Sequence, residues 1–559
     1  MTYTLKNTMI ASIAALALVG CGGGGSNSTQ PVATTAPAAP TPTPPPTPVS
    51  NAPAVPDFVA NQFPPSNELR AVCETVRTDT DLDGNPRPDI QGELLHELFW
   101  LRSFMDETYL FFDQVADSDP NDFTDIGAYF DERLTTVVTP TGRLVDRFSF
   151  IQSTEDREAT QIGAPTFGYG AEFARIRSTS PNRDWRVSFT QDGSNAEAAG
   201  FTRGARILTI DGIDFLNGSS DADIDGIIAG LFPTSIGEDH VFGVRFPDGT
   251  EQDITVTSES ITIEPVNAVE IIQNGSEQIG YIHYTTFNPF SGEEQLFDAF
   301  TQLSIAEVDD LVLDFRYNGG GLLAIAAQIG YMAAGPVSEN RVFYAQEFNS
   351  RAPNINPLTG ETVGPIPFLS ETRGFSVEAG EDLPSLNLPR VFVLTTEQSC
   401  SASEAVMNGL LGIGIEVVQI GTRTCGKPTG QIPVENCGIT YIPLHFRGVN
   451  AVGFGDFDDG LVPNTPIGSI GLEIPGCEIL DDFAAPLGDP NEALLSAAIT
   501  YANTGTCQSN VSSKVDANGP AISKVENFET LSDPLVNHPR MIAIEANRTL
   551  LDLKGTSAE

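Results

Sequence analysis

A regular alternation of apolar, β-prone runs with helical segments between residues 265 and 505 limits the possible folds more than any other feature of this 559-residue sequence. The runs that we predict to be strands are Gln278–Phe287, Asp309–Arg316, Arg390–Thr396 and Glu416–Gly421. The segments that we predict to be helices are Leu322–Met332 and Ala402–Leu411. Parallel strands need long crossover connections, which are usually helices, so this alternation predicts an α/β core built from βαβ units.

The charge balance excludes nucleic acid as a partner. The chain has 29 Lys and Arg residues against 74 Asp and Glu residues, which gives a net charge of −45. Nucleic-acid binding needs clustered cations that neutralise phosphates, and a chain this acidic does not supply them. Because 40% of the residues are hydrophobic, the chain can still bury a large core, and its length suits about three or four domains.

The first 20 residues are predicted to be a signal peptide. Lys6 precedes an apolar run at residues 9–19, which is too short to span a bilayer as a stable helix. The run ends in Leu18-Val19-Gly20-Cys21, which resembles the bacterial lipobox. The resemblance implies cleavage before Cys21 and a lipid on that cysteine, and Gly22 in place of Asp implies the outer membrane of a Gram-negative cell. The alternative is an ordinary secretory signal followed by a cysteine at this place by chance.

Residues 21–65 are predicted to be a lipidated tether, because ten prolines in residues 31–56 favour an extended polyproline conformation over a packed core. The body of the protein would then lie on the periplasmic side of the cell envelope. Residues 66–158 are predicted to form an N-terminal helical region, since the apolar spacing over Glu93–Val115 is typical of an amphipathic helix. The aromatic residues expected on its buried face, as simple core packing, are Trp100, Phe104, Tyr109 and Phe112.

Residues 159–263 are predicted to form a small β domain, because short β-prone runs alternate with Gly, Asn and Asp turns. Two patches resemble a PDZ domain: Phe167-Gly168-Tyr169-Gly170, and the run from Ser194 to Gly212. The resemblance implies that the first patch binds a peptide carboxylate and that the strand after it accepts an extended peptide as an added strand. The alternative is a β domain without a peptide groove.

A serine stands where a predicted core strand turns into a helix. Ser401-Ala402-Ser403-Glu404 follows the strand Arg390–Thr396 and opens the helix Ala402–Leu411. Free backbone N–H groups at a helix N-terminus stabilise developing negative charge, which suits a nucleophile beside an oxyanion hole. The same four residues also fit a capping box, in which Ser401 only begins the helix.

Two other turns of the core carry candidate chemistry. Lys427 has small, uncharged neighbours in the turn after Gly421, and a lysine deprived of water and of nearby acids has a lowered pKa and can act as a general base. A lone loop lysine is, however, more often exposed. The strand Asp309–Arg316 runs into Gly319-Gly320-Gly321, where glycine lets backbone N–H groups approach a ligand oxygen or simply allows a tight turn.

The order of these motifs resembles that of the C-terminal-processing, or tail-specific, serine peptidases. The matching segments are Gly280-Tyr281-Ile282, Asp314–Gly320, Ser401–Glu404, and Gly421–Lys427 with Gln431. The resemblance covers residues 90–500 or so, including the PDZ-like segment ahead of the core. It implies that residues 264–505 are a serine peptidase core, followed by a tail at residues 506–559 that we leave unassigned.

The resemblance also implies a role for each matching residue. Ser401 would be the nucleophile, Lys427 the base that takes its proton, and Gln431 the residue that orients the lysine. The backbone N–H groups that would form the oxyanion hole are those of Ala402 and of Gly319 or Gly320. Neither a metal nor an organic cofactor is required.

Two features leave alternatives open. The six cysteines other than Cys21 allow fifteen pairings, of which proximity in sequence favours Cys425–Cys437 and Cys477–Cys507. Because Cys400 and Cys425 flank the catalytic segments, a bridge involving either would fix the site or gate it. His283 is the rival base, since the tricorn-like branch of these peptidases uses a Ser–His arrangement, but Lys427 matches its motif residue by residue.

The sequence therefore predicts a lipid-anchored, periplasmic serine endopeptidase that binds accessible C-termini of proteins or peptides on a PDZ domain and cleaves them with a Ser–Lys dyad. Pro428 follows the lysine where the family usually has Gly, which removes one N–H group and stiffens the loop. This departure favours the alternative, a catalytically inactive PDZ-bearing envelope lipoprotein that binds the tails of its partners. The oligomeric state is left open.

Overall fold

A computed structural model describes residues 52–82, 84–161, 166–463 and 473–507. The predicted signal peptide, the lipidation residue Cys21, most of the predicted tether and the tail after Cys507 lie outside the described residues. None of the helices in the described ranges is both long and apolar enough to cross a bilayer.

The α/β core is built on a six-stranded sheet. In order across the sheet, its strands are Val266–Asn274, Glu277–Tyr284, Asp310–Asp314, Arg390–Thr395, Glu416–Gly421 and Gly476–Glu478. The first pair is antiparallel, and every later pair is parallel. The predicted strands and helices of the core are confirmed with small shifts at their ends, because these strands are buried on both faces and therefore read as continuous apolar runs.

Helices cover both faces of this sheet. The helices packed in the larger core cluster are Gly292–Ile305, Leu323–Ala334 and Ala402–Gly412. The helix Ala493–Thr504 packs on the opposite face. Side chains of one strand alternate between the two faces, so that Val391 and Val393 join the first cluster while Phe392 and Leu394 join the second. This architecture brings the carboxyl ends of the parallel strands to one edge, where Ser401 lies.

Smaller sheets that sequence patterns did not predict pack beside this edge. One sheet has the strand order Ile366–Pro367, Val342–Glu347, Leu444–Val449 and Thr429–Gln431. A second has the order Val434–Asn436, Ile439–Ile442 and Phe150–Ser153. A parallel pair joins Val462–Pro463 to Glu473–Ile474. The first two sheets hold the segment after Lys427 against both the core and the N-terminal region.

The predicted β domain has its own hydrophobic core. Its strands are Thr166–Gly168, Ala171–Arg177, Asp184–Thr190, Arg206–Ile210, Ile213–Asp214, Asp239–Arg245, Glu251–Thr257 and Glu259–Ile261. Its helices are Asn195–Ala199 and Asp221–Leu231. Ala171–Arg177 is the outermost strand of the main sheet of this domain and pairs on one side with Asp184–Thr190. Its other side therefore forms the edge of that sheet.

The N-terminal region is less helical than the sequence suggested. Its described helices are Leu94–Thr108, Ile126–Glu132 and Thr154–Gln161, and its short strands are Val72–Cys73 and Ile90–Gln91. The helix expected to continue to Val115 ends at Thr108, because Tyr109 is extended and the N–H of Leu110 donates to the carbonyl of Leu444 in the core. Trp100, Phe104 and Tyr109 are buried as expected.

The packed body begins before residue 65, where the tether was expected to end. The guanidinium of Arg102 donates to the carbonyls of Val59 and Gln62, each at 3.0 Å, and stacks on the rings of Phe58 and Phe63. An aromatic pair can therefore anchor a proline-rich segment whose composition alone favours an extended tether.

Three disulfides connect the described residues, namely Cys73–Cys437, Cys400–Cys425 and Cys477–Cys507. The predicted Cys477–Cys507 bridge is confirmed, but the predicted Cys425–Cys437 bridge is wrong. Cys425 lies 5.2 Å from Cys400 between Cα atoms, while Cys437 lies 5.3 Å from Cys73 in the N-terminal region. Proximity in sequence gave the wrong partner for Cys437. The sheet that contains Ile439–Ile442 places Cys437 beside Cys73, which is 364 residues away in the sequence.

Candidate active site

Ser401 occupies a strained turn between the strand Arg390–Thr395 and the helix Ala402–Gly412, which we call the serine helix. Its backbone has φ 56° and ψ −110°. Residues other than glycine rarely adopt a positive φ. Such strain usually costs about 1–3 kcal/mol and tends to occur at functional sites. Ser401 is partly exposed, so this turn presents it at the edge of the core.

Lys427 is buried, with 4% of its surface exposed, in the loop after the strand Glu416–Gly421. Its Nζ donates to Oε1 of Gln431 at 2.9 Å. The Gln431 amide is oriented by its own Nε2, which donates to the carbonyls of Phe148 and, at 3.1 Å, Ile442. Because both carbonyls accept hydrogen bonds from the amide nitrogen, the amide oxygen is the atom that faces the lysine.

Ser401 and Lys427 line the same cavity, which we call the reaction cavity. Thr429 is a third polar residue in its lining. The remaining walls are mainly apolar or aromatic and come from Leu323, Tyr344, Ala405, Pro428, Phe446 and Phe457. Pro428 leaves the lysine's contact with Gln431 intact, and its carbonyl accepts from the N–H of Gly448 at 2.8 Å. The structure therefore brings together the serine and the lysine that the sequence singled out.

Glu404 ties the serine helix to the lysine loop, defined as residues 422–428. Its carboxylate is fully buried and accepts bonds from the N–H groups of Ser401 and Lys427, each at 2.9 Å. It also accepts from the Thr424 hydroxyl at 2.6 Å and from the N–H of Gly426 at 2.8 Å. Burial raises the pKa of Glu404, and these hydrogen bonds partly offset that effect. The capping-box residue thus has a second role as a clamp between the two halves of the site.

Replacing Glu404 by glutamine tests this clamp. Both oxygens of a carboxylate accept hydrogen bonds, whereas glutamine replaces one oxygen by an NH₂ group, which can only donate. That NH₂ group would face two N–H or O–H donors and leave them without an acceptor. We expect Glu404→Gln to lower stability by about 2–4 kcal/mol, the cost of leaving buried donors unsatisfied, and to lower activity as the two halves separate. Denaturant unfolding measures the loss. The matched control is Glu107→Gln in the N-terminal region, where the carboxylate accepts from the N–H and hydroxyl of Ser66; equal losses in both variants would contradict the clamp.

The glycine turn lies directly against Ser401. A Cβ built on Gly320 would come within 2.7 Å of the Cβ of Ser401 and 3.0 Å of the backbone nitrogen of Ala402, and φ is 104°, so only glycine fits. The N–H of Gly320 donates to Oδ1 of Asn318 at 2.9 Å and is not available to an oxyanion. The N–H groups of Gly319 and Ala402 make no hydrogen bond to another described residue. Of the two expected glycines, the geometry therefore favours Gly319.

Buried charges hold this turn in place. Asp314 and Arg316 are both fully buried and are joined at 2.6 Å, and Arg316 also contacts Glu492 at 2.7 Å. Burial alone would raise the pKa of Asp314, but the charge and hydrogen bonds of Arg316 lower it to about 2. The carbonyl of Asn318 then accepts from the N–H of Cys400 at 3.0 Å, which connects the turn to the residue before Ser401.

His283, the rival base, does not line the reaction cavity. It is fully buried, its ring meets Phe189 of the β domain edge-on at 5.1 Å, and neither ring nitrogen has a hydrogen-bond partner among the described residues. Burial lowers its pKa to about 4, with a partial offset from Asp314. The surroundings of His283 are therefore those of a packed neutral side chain.

The N-terminal region contributes two residues that sequence reasoning missed. Arg147 donates to the carbonyls of Cys425 at 2.6 Å and Gly426 at 3.1 Å, directly before the lysine. The ring of Phe148 lies 5.3 Å from Nζ of Lys427. No sequence signal could have identified either residue, because their partners lie almost 280 residues further along the chain. Both residues therefore lie against the lysine loop.

The PDZ-like loop adopts a turn at the start of the edge strand Ala171–Arg177. Phe167 and Gly168 pair with the strand Glu259–Ile261, and Tyr169 is buried with its hydroxyl donating to the carbonyl of Gly230 at 2.6 Å. Gly170 has φ 78°, and its carbonyl accepts from the N–H of Gln191 at 2.8 Å. The four residues thus lead into an edge strand.

Two groups of potential metal ligands occur among the described residues, and their donor atoms already have partners. Cys400 and Cys425, beside Glu404, are joined in a disulfide. In the second group, Asp481 and Glu492 accept bonds from buried arginines. Neither group supports a metal role in the reaction cavity.

An α/β core with a strained serine, a buried lysine and, among the described residues, unbonded N–H groups at one edge has the features expected of a serine-type hydrolase site. Residues 278–442, which contain Ser401, Lys427 and Gln431, match the model of peptidase family S41. The core of this chain is thus similar to S41 peptidases, and the curated relatives that it matches are named carboxyl-terminal-processing proteases.

Two curated relatives and one solved structure illustrate the similarity. A carboxyl-terminal-processing protease of Picosynechococcus sp. is 28% identical over 287 residues, which are 49% of this chain and 60% of that protein. The chloroplastic C-terminal processing peptidase of Tetradesmus obliquus is 32% identical over 149 residues, which are 25% of this chain and 31% of that protein. The chain thus matches less than two thirds of the length of either relative.

A crystal structure from Bacteroides fragilis, of a protein assigned to the S41 proteases, superimposes with a TM-score of 0.50 at 22% identity. The match covers 73% of this chain and 97% of that one. At this identity the likeness concerns the fold.

Proposed function

We propose that this protein is a serine endopeptidase in which Ser401 and Lys427 form a catalytic dyad. The neutral amine of Lys427 takes the proton of Ser401 as its Oγ attacks the scissile carbonyl carbon. The N–H groups of Gly319 and Ala402 hold the oxyanion, and the lysine returns the proton to the leaving amine. Water then attacks the acyl carbon, with its proton passing through Lys427 to the serine oxygen as the ester bond breaks.

The observation that carries this proposal is the shared reaction cavity. Lys427 is 4% exposed and has an amide oxygen, not a carboxylate, on its Nζ at 2.9 Å. Burial disfavours the charged ammonium and therefore favours the neutral amine that a general base requires. The clamp carboxylate, that of Glu404, accepts a hydrogen bond from the backbone N–H of Lys427.

The walls of the reaction cavity support a preference for apolar side chains next to the cut. Leu323, Phe446 and Phe457 offer no charged partner to an entering group. A charged side chain would lose its hydration there without compensation. We expect peptides with Ala, Val or Leu before the scissile bond to have kcat/KM about 100-fold or more above those with Asp or Lys there. A peptide series varied at that one position measures the ratio, and equal rates would contradict the assignment of this cavity.

We propose further that the β domain is a PDZ domain that captures substrate C-termini along Ala171–Arg177. Support comes from the edge position of that strand and from the turn at Phe167–Gly170 in front of it. Using the Ser401→Ala variant to prevent cleavage, we expect a peptide with a free C-terminal carboxylate to bind about 10-fold or more tightly than its C-terminal amide. Equal affinities would argue for a β domain without a carboxylate site.

Hydrolysis itself is tested with the purified full-length chain and an unfolded protein substrate. We expect cleavage products by mass spectrometry, and none with the Ser401→Ala variant. The rival is a catalytically inactive lipoprotein that binds partner tails, which Pro428 favoured from sequence. Tail binding without any Ser401-dependent cleavage would establish that rival.

We also propose that Cys21 carries a lipid and that the body of the protein lies on the periplasmic side of the envelope, at the outer membrane. The sequence Leu18–Cys21 and the three disulfides support export, since disulfides persist in oxidising compartments. Metabolic labelling with a fatty acid is expected to mark the protein, and the Cys21→Ser variant is expected to lose the label. Equal labelling of both would contradict the anchor.

A further inference from the structure

Thr429 carries a hydroxyl group for which the fold supplies no partner. It is the first residue of the strand Thr429–Gln431, and 3% of its surface is exposed. Its Oγ1 is buried and makes no hydrogen bond to any described residue. The residue lines the reaction cavity together with Ser401 and Lys427. The residue that carries the unpartnered hydroxyl therefore lines the cavity in which the proposed chemistry takes place.

The strand itself does not need this hydroxyl. Valine has nearly the same shape and an equal preference for strands, and it would avoid the cost of burying an unpaired polar group. Nor do the neighbours use it, because no polar atom of a described residue makes a hydrogen bond to Oγ1 of Thr429. A buried hydroxyl at the wall of this cavity can therefore accept a hydrogen bond from a molecule that enters the cavity.

The second half of the proposed reaction provides such a molecule. A water molecule held inside a protein makes at least two hydrogen bonds. Lys427 offers one acceptor, its neutral amine, and most of the other walls are apolar. A threonine hydroxyl has two acceptor positions, so it can take the second proton of the water. When the two O–H groups of the water donate to Lys427 and Thr429, a lone pair on the water oxygen remains free to attack the acyl carbon.

We propose that Thr429 is a catalytic residue for deacylation, and this proposal rests on the Ser–Lys function proposed above. Oγ1 of Thr429 accepts one hydrogen of the attacking water while Lys427 accepts the other. The water oxygen forms a bond to the acyl carbon, and the ester bond to Oγ of Ser401 breaks. The proton taken up by Lys427 passes to the serine oxygen, which restores the free enzyme with no other reactant.

The test separates the two halves of the reaction in the full-length protein. An activated peptide ester is mixed with excess protein for single-turnover acylation and with limiting protein for steady-state turnover. For Thr429→Val we expect kcat to fall about 100-fold, the usual cost of losing one positioned hydrogen-bonding group. Acylation should change by less than about 3-fold, so the ester on Ser401 should accumulate and be visible by intact mass.

Two variants make the result specific. Thr429→Ser keeps the hydroxyl and is expected to restore turnover to within about 5-fold of the parent. Ser103→Ala is the control, because Oγ of Ser103, in the helix Leu94–Thr108, is also buried without a partner among the described residues and does not line the reaction cavity; its kinetics should equal those of the parent.

Three outcomes would overturn the role of Thr429. These are acylation slowed as much as deacylation, absence of the accumulated ester in Thr429→Val, and failure of Thr429→Ser to restore turnover. Turnover of the activated ester that persists in Ser401→Ala would instead count against the Ser401 nucleophile, so the two failures are distinguishable.

Discussion

Replacing Ser401 by alanine is expected to lower kcat/KM for peptide hydrolysis by about 10⁴-fold or more, the size of loss typical of removing a catalytic nucleophile. Alanine keeps a Cβ in the same positive-φ turn, so the backbone and the Glu404 clamp at the Ser401 N–H are preserved. Any loss of activity would therefore report on the hydroxyl group. Initial rates with an unfolded protein or a tailed peptide measure it.

The matched control for this variant is Ser403→Ala, two residues further along the same helix. Ser403 is buried, and its hydroxyl donates to the carbonyl of Asn318 at 3.2 Å, but it does not line the reaction cavity. We expect a loss of about 10-fold at most, from weaker support of the glycine turn. Full activity of Ser401→Ala, or equal losses in both variants, would remove Ser401 from the mechanism.

Replacing Lys427 by methionine is expected to lower kcat/KM by about 10³-fold or more, because methionine fills similar space but cannot accept a proton. Lys427→Arg should be as inactive, since a guanidinium stays charged at every working pH and cannot serve as the base. The same hydrolysis assay measures both variants, and thermal melting verifies that each remains folded.

His283→Asn provides the contrast. The histidine is buried beside Phe189 with its pKa lowered to about 4, and it does not line the reaction cavity. We expect kcat/KM to remain within about 3-fold of the parent. If His283→Asn were inactive while Lys427→Met cleaved normally, the site would have to be reassigned to the tricorn-like Ser–His arrangement.

Much of the α/β core could be predicted from the sequence, because its signals are local. Strands buried on both faces read as unbroken apolar runs, as in Arg390–Thr395, and turns such as the one at Gly320 require glycine for steric reasons. Local sequence signals also explain why Ser401 and Lys427 could be identified as candidate catalytic residues. Each stands in a turn directly after a predicted core strand, and parallel strands bring such turns to one edge.

What could not be predicted depends on contacts between segments far apart in the chain. The end of the first helix at Thr108 is set by a hydrogen bond to Leu444, and the Cys73–Cys437 bridge joins residues 364 positions apart. Arg147 reaches the lysine loop through backbone carbonyls, which carry no sequence pattern. The role of Glu404 could be predicted only in part. Its motif indicated a helix cap, but the four hydrogen bonds that its carboxylate accepts became apparent only from the fold.

The central claim, that Ser401 attacks the substrate with Lys427 as its base, is tested most directly by locating the covalent intermediate. The full-length protein is quenched during turnover of an activated peptide ester and then mapped by peptide mass spectrometry. We predict an ester on Ser401 that is absent from Ser401→Ala and forms far more slowly in Lys427→Met. An adduct on another residue, or hydrolysis that continues in Ser401→Ala, would contradict the account.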